Sequence, residues 1–148
     1  MKRLFLFALL AGCFYLLQSC GNAPKQTQIP SEKVVIAYVT SWSEVMPNPD
    51  LVTHINYAFG HVNDSFNGVR INNEERFKQI VALKEKAPHL KVLLSIGGWG
   101  SGRFSEMAGD EQNRLSFAKD CQRVVQEYGL DGIDLDWEYP TSSAAGIS

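Results

Sequence analysis

This chain has few of the residues that metal sites and disulfides need. It carries three cysteines and three histidines in 148 residues, and none of them pair at metal-ligand spacing. A structural or catalytic zinc site is therefore not expected, and no cofactor motif replaces it. Cys13 and Cys20 belong to the amino-terminal apolar stretch, which leaves Cys121 alone on an expected helix, where it reads as a small buried hydrophobe. Excess positive charge is also missing. Fourteen basic residues face sixteen acidic ones, for a net charge of −2, and no basic stripe occurs, which argues against a nucleic-acid partner. Internal repeats and low-complexity tracts are absent as well. What remains is 45% hydrophobic and 20% charged, the balance of a packed domain.

The longest apolar run, Leu4 to Leu17, is too short for a membrane span and suits the core of a signal sequence behind Lys2 and Arg3. It ends in Leu17-Gln18-Ser19-Cys20, which resembles a bacterial lipobox with Cys20 as the lipidated residue; Gln18 departs from the usual pattern. Residues 1–19 are thus expected to be a lipoprotein signal peptide, and 20–33 a polar tether. Without Lys2 and Arg3, 12 of the 14 basic residues remain against 16 acidic ones, and the charge becomes −4. The expected location is the cell envelope of a bacterium, with the chain held to a membrane through Cys20.

From residue 34 the pattern alternates. Val34 to Val39 reads as a buried first strand, and His54 to Phe59 as a second, stopped by Gly60. Pro47 and Pro49 leave a short or missing helix between them. Asn63 to Gly68 reads as a loop. Asn73 caps a helix with Phe77, Ile80, Val81 and Lys84 on one face, closed by Pro88. Lys91 to Gly98 is a third strand. Asp110 caps a second helix, with a stripe of Leu115, Ala118, Cys121, Val125 and Tyr128 and with Gly129 beyond its end. Apolar strands alternating with amphipathic helices predict an α/β fold, a parallel sheet with helices outside it. In such folds the site lies at the carboxyl ends of the strands.

The last strand is unusual. In Asp131-Gly132-Ile133-Asp134-Leu135-Asp136-Trp137-Glu138, a period of two puts Asp134, Asp136 and Glu138 on one face and Ile133, Leu135 and Trp137 on the other. Successive acids are then roughly 6.5 Å apart along the strand, close enough that at least one should hold a proton near neutral pH. A protonated carboxyl beside an ionised one is equipment for acid catalysis on an acetal. A solvated loop or a calcium site is the competing reading, but calcium loops are not interleaved with Ile, Leu and Trp.

This stretch resembles the DxxDxDxE signature of family 18 glycoside hydrolases, the chitinase family. Ser95-Ile96-Gly97-Gly98 resembles that family's SxGG motif, Asn56 to Phe59 its second strand, and Ala37-Tyr38 its first. The resemblance implies a TIM (β/α)8 barrel, which needs eight strands and roughly 250 residues. Residues 34–148 hold about the first four, so they read as the amino-terminal half of a family 18 barrel. Such a half is expected to be poorly stable and inactive alone, with open sheet edges. It further implies retaining, substrate-assisted hydrolysis of β-1,4-linked N-acetylglucosamine polymers such as chitin. Glu138 would be the proton donor, Asp136 the partner of the substrate acetamide, and Asp134 the residue that tunes Asp136. Asp131, off the two-residue register, would fix the strand end.

Several roles stay open at this level. Ser95 and Gly97 are either a plain strand end or a close approach to the acidic strand, with Ser95 bonding near Asp131 or Asp134. Trp99 either stacks on a sugar or packs over the rim, and Gly98, Tyr38 and Phe59 are candidates for lining the substrate pocket. Trp137 points away from the acids, towards the core. His54 and His61 read as structural or exposed, and Trp42 has no assigned role. Rival functions are an endo-β-N-acetylglucosaminidase acting on N-glycans and a non-catalytic chitin- or glycan-binding lipoprotein.

Overall fold

The computed structural model describes residues 33–140. The expected signal peptide, Cys20, nearly all of the tether and the loop after Pro140 lie outside the described residues. Four strands form the parallel sheet: β1 (Ile36–Thr40), β2 (His54–Val62), β4 (Lys91–Gly97) and β5 (Gly132–Asp136), ordered β1-β2-β4-β5. A short strand, β3 (Val69–Ile71), pairs antiparallel with the far end of β2. The helices are α1 (Glu74–Val81), α2 (Leu83–Lys86), α3 (Phe104–Gly109) and α4 (Glu111–Tyr128).

The core lies between the sheet and the helices. Ile55 and Tyr57 from β2, and Val92, Leu94 and Ile96 from β4, are fully buried against Phe77, Ile80, Phe104 and Val124. Alternation then turns the other side chains of each strand to the opposite face, towards the axis of the expected barrel. Those are Tyr38, Asn56, Ala58, Ser95, Asp134 and Asp136. Tyr57 shows how the core also sets a loop. Its ring packs 4.9 Å from that of Phe77, and its hydroxyl reaches the Asn72 and Asn73 carbonyls at 2.9 Å. That anchors the entry to α1, where Asn73 caps Arg76 N–H.

Several expectations need correction. The first strand begins at Ile36 and is covered on one face only: Val39 joins the core, whereas Ile36 is 53% exposed, because β1 is an edge among the described residues. β5 is the other edge, and Leu135 is 60% exposed for the same reason. Gly60 does not stop β2. A Cβ there would lie 3.1 Å from the Leu94 side chain and 3.3 Å from the Arg70 carbonyl, so the glycine makes room for β3 and β4. The loop after it is the turn of a hairpin. The expected first helix is divided at Ala82, and α2 ends at Lys86, because Ala87, ahead of Pro88, leaves the helical region at φ −132° and ψ 80°. α3 was not anticipated. The buried stripe of α4 runs through Phe117, Cys121, Val124 and Val125, whereas Leu115 is half exposed. Gly129, at φ 64°, closes that helix as expected, with the Leu130 N–H returning to Val125 O. The gap after β1 holds only a 3-10 turn at Pro49–Leu51.

Candidate active site

Four strands and the loops after them deliver side chains to one end of the sheet. Register sets Ala58 opposite Ser95, Ser95 opposite Asp134, and Gly97 opposite Asp136. Asp134 is the hub. Its Oδ2 accepts from the Ser95 hydroxyl at 2.8 Å and from the Tyr38 phenol at 2.9 Å, one donor from β4 and one from β1. Ser95 is fully buried, so it has no water to turn to and its hydroxyl is committed to Asp134. This settles the partner of Ser95 in favour of Asp134.

Asp136 lies one step further along the same face. Burial pushes its carboxyl above the ordinary range, and the nearby charges of Glu138 and Asp134 push it in the same direction. Tyr38 is pulled both ways: a hydrogen bond from Asn56 lowers its pKa, but Asp134, burial and Asp136 together raise it. It stays a donor at any physiological pH. Glu138 follows β5 and is half buried. Tyr139 hydrogen-bonds to it, and that bond together with the Glu138 charge holds the phenol above its usual range.

The two glycines make a close approach possible. Gly97 has φ 126°, and a Cβ there would lie 2.1 Å from the Asp136 carbonyl oxygen; Gly98 N–H donates to that same oxygen at 2.9 Å. Gly98 has φ 89°, and its Cβ would meet the Phe59 ring at 2.8 Å. Only glycine fits either place. The reading of a plain strand end is thus overturned. Non-proline cis peptides occur at Ala58–Phe59 and at Glu138–Tyr139, both at this rim.

Trp99 stands on the loop after Gly98, 65% exposed, its ring edge-on to Tyr139 at 6.3 Å. It does not pack into the core. Trp137 does, stacked on Phe104 at 5.4 Å, pointing away from the acids as expected. Asp131 is not at the site. It sits at the opposite end of β5, where its Oδ2 accepts from Val92 N–H at 2.8 Å and from Lys84 at 2.6 Å. Burial raises its pKa, but Lys84 and the Val92 N–H outweigh that and hold the carboxyl below its usual range. Asp131 fixes the strand end, as expected. Lys84, which interrupted an apolar helix face, is explained by this pair.

Sequence reasoning passed over three residues. Asn56, nearly buried, bonds Tyr38; a polar residue inside an apolar strand was the available signal. Tyr139 was hidden by its position after the strand. Arg76 is buried, with its guanidinium on the Thr40 and Val45 carbonyls, which holds the loop that leaves β1. Among the described residues no three His, Cys, Asp or Glu side chains are placed to hold a metal ion.

The sequence matches the family model "Glycosyl hydrolases family 18" over residues 34–147. The chain belongs to that family. Its four parallel strands with helices outside are part of a family 18 barrel. The chain is 35% identical to mouse (Mus musculus) chitotriosidase-1 over 119 residues, covering 72% of itself and 26% of that protein. It is similar in structure to the chitinase domain of the spore coat protein CotE from Clostridium difficile. There the TM-score is 0.73 at 38% identity, over 86% of this chain and 35% of that one. A family 18 N-acetylglucosaminidase from Paenibacillus barengoltzii gives a TM-score of 0.70 at 42% identity, over 78% of this chain and 34% of that one. The chain spans about a quarter of the length of the curated relatives it matches.

Proposed function

We propose that the protein to which this chain belongs hydrolyses β-1,4-linked N-acetylglucosamine polymers, chitin foremost, with retention and with help from the substrate. Glu138 protonates the glycosidic oxygen. The acetamido oxygen of the sugar on its non-reducing side attacks the anomeric carbon as the bond to the leaving group breaks, and an oxazolinium forms. Asp136 accepts a hydrogen bond from the acetamido N–H and offsets the positive charge. Glu138, now ionised, takes a proton from water, which opens the oxazolinium and restores the sugar. The observation that carries this reading is the polarised arrangement of the acids. Two hydroxyls already donate to Asp134 Oδ2, so a proton shared with Asp136 must use the other oxygen, Oδ1.

Trp99, exposed beside Tyr139 and Glu138, is the platform for a sugar ring, and Tyr38, Phe59 and Gly98 line the pocket below it. The described strands form one wall of the site, so catalysis requires a closed barrel and residues 34–148 alone are inactive. An endo-acting enzyme on N-glycans would use the same acids. The names of the mouse and clostridial relatives favour chitin. At the amino terminus, cleavage before Cys20 and lipidation of that residue would place the enzyme on a bacterial membrane.

The test uses the complete reading frame that contains this chain, assayed on a chromogenic chitobioside and on a high-mannose glycopeptide. Hydrolysis of the first and not the second is expected, with activity abolished in Glu138→Gln. Activity that survives this substitution removes Glu138 from the role. Labelled palmitate carried by the wild type and not by Cys20→Ser checks the anchor.

A further inference from the structure

The loop that carries Trp99 is unusual in its backbone. Gly97, Gly98 and Gly100 have φ of 126°, 89° and 81°, and Arg103 just beyond has 75°. Such a glycine-rich segment has many accessible conformations and little intrinsic preference among them. Its internal bond is a turn from Ser101 N–H to Gly98 O at 2.9 Å. A side chain from outside hydrogen-bonds it: His61, near the end of β2, lies with Nδ1 2.9 Å from the Ser101 hydroxyl.

The tautomer of His61 follows from its neighbours. Arg70 donates to Asn72 Oδ1 at 2.7 Å, and an arginine can only donate, so the Asn72 amide is fixed with its oxygen towards Arg70. The Asn72 nitrogen then faces His61 Nε2 at 2.8 Å. An NH2 group can only donate, so Nε2 accepts. The proton sits on Nδ1, which donates to Ser101 Oγ. The chain Arg70–Asn72–His61–Ser101 runs from the β2–β3 hairpin into the Trp99 loop with a donor facing an acceptor at each of its three contacts.

We propose that His61 is a positioning residue that ties the Trp99 loop, through Ser101, to Asn72 beyond β3, and that protonation breaks this tie at Asn72. This rests on the reading of Trp99 as a sugar platform. A protonated His61 would set Nε2–H against the Asn72 NH2, donor against donor, and turning the amide would set that NH2 against Arg70. Neither arrangement can be satisfied. The charged groups that face the ring are Arg70 on β3 and Arg103 ahead of α3, the latter paired with the exposed Asp64. Burial first, then these two cations, hold the His61 pKa below its ordinary 6.5. The neutral form is the one the fold prefers. The Asn72 bond to His61 is therefore complete above about pH 6.5 and is lost as the pH falls through the lowered pKa, while Nδ1–H still donates to Ser101.

The test is imidazole and indole NMR on the full chain, with the Trp99 indole signal assigned by Trp99→Phe. His61 is expected as the Nδ1–H tautomer, with the Trp99 indole shift titrating at the His61 midpoint, below 6.5. Ser101→Ala should erase that shift at Trp99 while His61 still titrates. An Nε2–H tautomer overturns the proposal, as does a Trp99 signal that ignores His61 or responds unchanged in Ser101→Ala. On the complete reading frame, Ser101→Ala should raise KM for chitin oligomers about twofold to tenfold at unchanged kcat, the factor of one neutral hydrogen bond. A lower kcat at unchanged KM overturns the positioning role. A wild type without any hydrolysis would sink the proposed function, and the NMR result would still decide the His61 link.

Discussion

Gly97→Ala tests how closely β4 and β5 approach each other at the acids. The new Cβ would stand 2.1 Å from the Asp136 carbonyl oxygen and 2.7 Å from its carbon, both backbone atoms that cannot rotate away. The strands would have to part, which weakens the Gly98 N–H to Asp136 O bond and moves Asp136. Three effects combine. Backbone strain at φ 126° costs about 1–2 kcal/mol. Overpacking against backbone adds about 1–3 kcal/mol. A weakened hydrogen bond adds about 1 kcal/mol. A loss of about 3 kcal/mol or more is therefore expected, a large share of a domain's stability. Gly100→Ala is the control: its φ of 81° is also positive, but nothing lies within 4 Å of its Cβ, so only the backbone strain applies. The assay is urea unfolding followed by circular dichroism on the wild type and both variants. Gly97→Ala should unfold at markedly lower urea than Gly100→Ala, or fail to fold. Equal midpoints for the two would refute the close approach and the role given to the glycine pair.

Two further outcomes follow from single contacts. Asp131→Asn should cost about 1 kcal/mol at pH 7, since it removes the charge that Lys84 holds. Because the Asp131 carboxyl is held below its usual 3.8, that contribution is present above pH 4 and is lost as the pH falls through the lowered pKa, where the urea midpoints of the two proteins should converge. In the complete protein, Ser95→Ala and Tyr38→Phe each remove one donor from Asp134 Oδ2, and each should lower kcat about tenfold or more, the scale of one charge-assisted bond. Unchanged kcat in both would show that Asp134 needs neither.

Much of the site was legible because it is written in a two-residue period. Asp134, Asp136 and Glu138 share a face for the same reason that Ile133 and Trp137 share the other, and that alternation needs no partner strand to be read. The helix caps were legible too. Asn73, Asp110 and Gly129 act on backbone groups within a few residues of themselves. Burial was less legible. Val34, Val35 and Ile36 have the composition of an interior strand, yet they are exposed, because composition reports what a strand can bury and not whether anything lies beside it. The stripe of α4 was misread by part of a turn. Leu115 looks as apolar as Phe117, and only the position of the sheet decides which is covered.

The sequence alone determined the family, the order of the four parallel strands, and which carboxylates share a face. These follow from local periodicity and from motifs that span a few residues. Tertiary structure decided what lies between residues far apart in the chain. It put Tyr38 and Ser95 on the same oxygen of Asp134, 96 and 39 positions away. It sent Asp131 to the far end of the strand, and it joined His61 to the loop of Trp99. A hydrogen bond is directional and falls off within a few tenths of an ångström. Its partner is therefore set by how the strands lie in register and not by what stands nearby in the sequence.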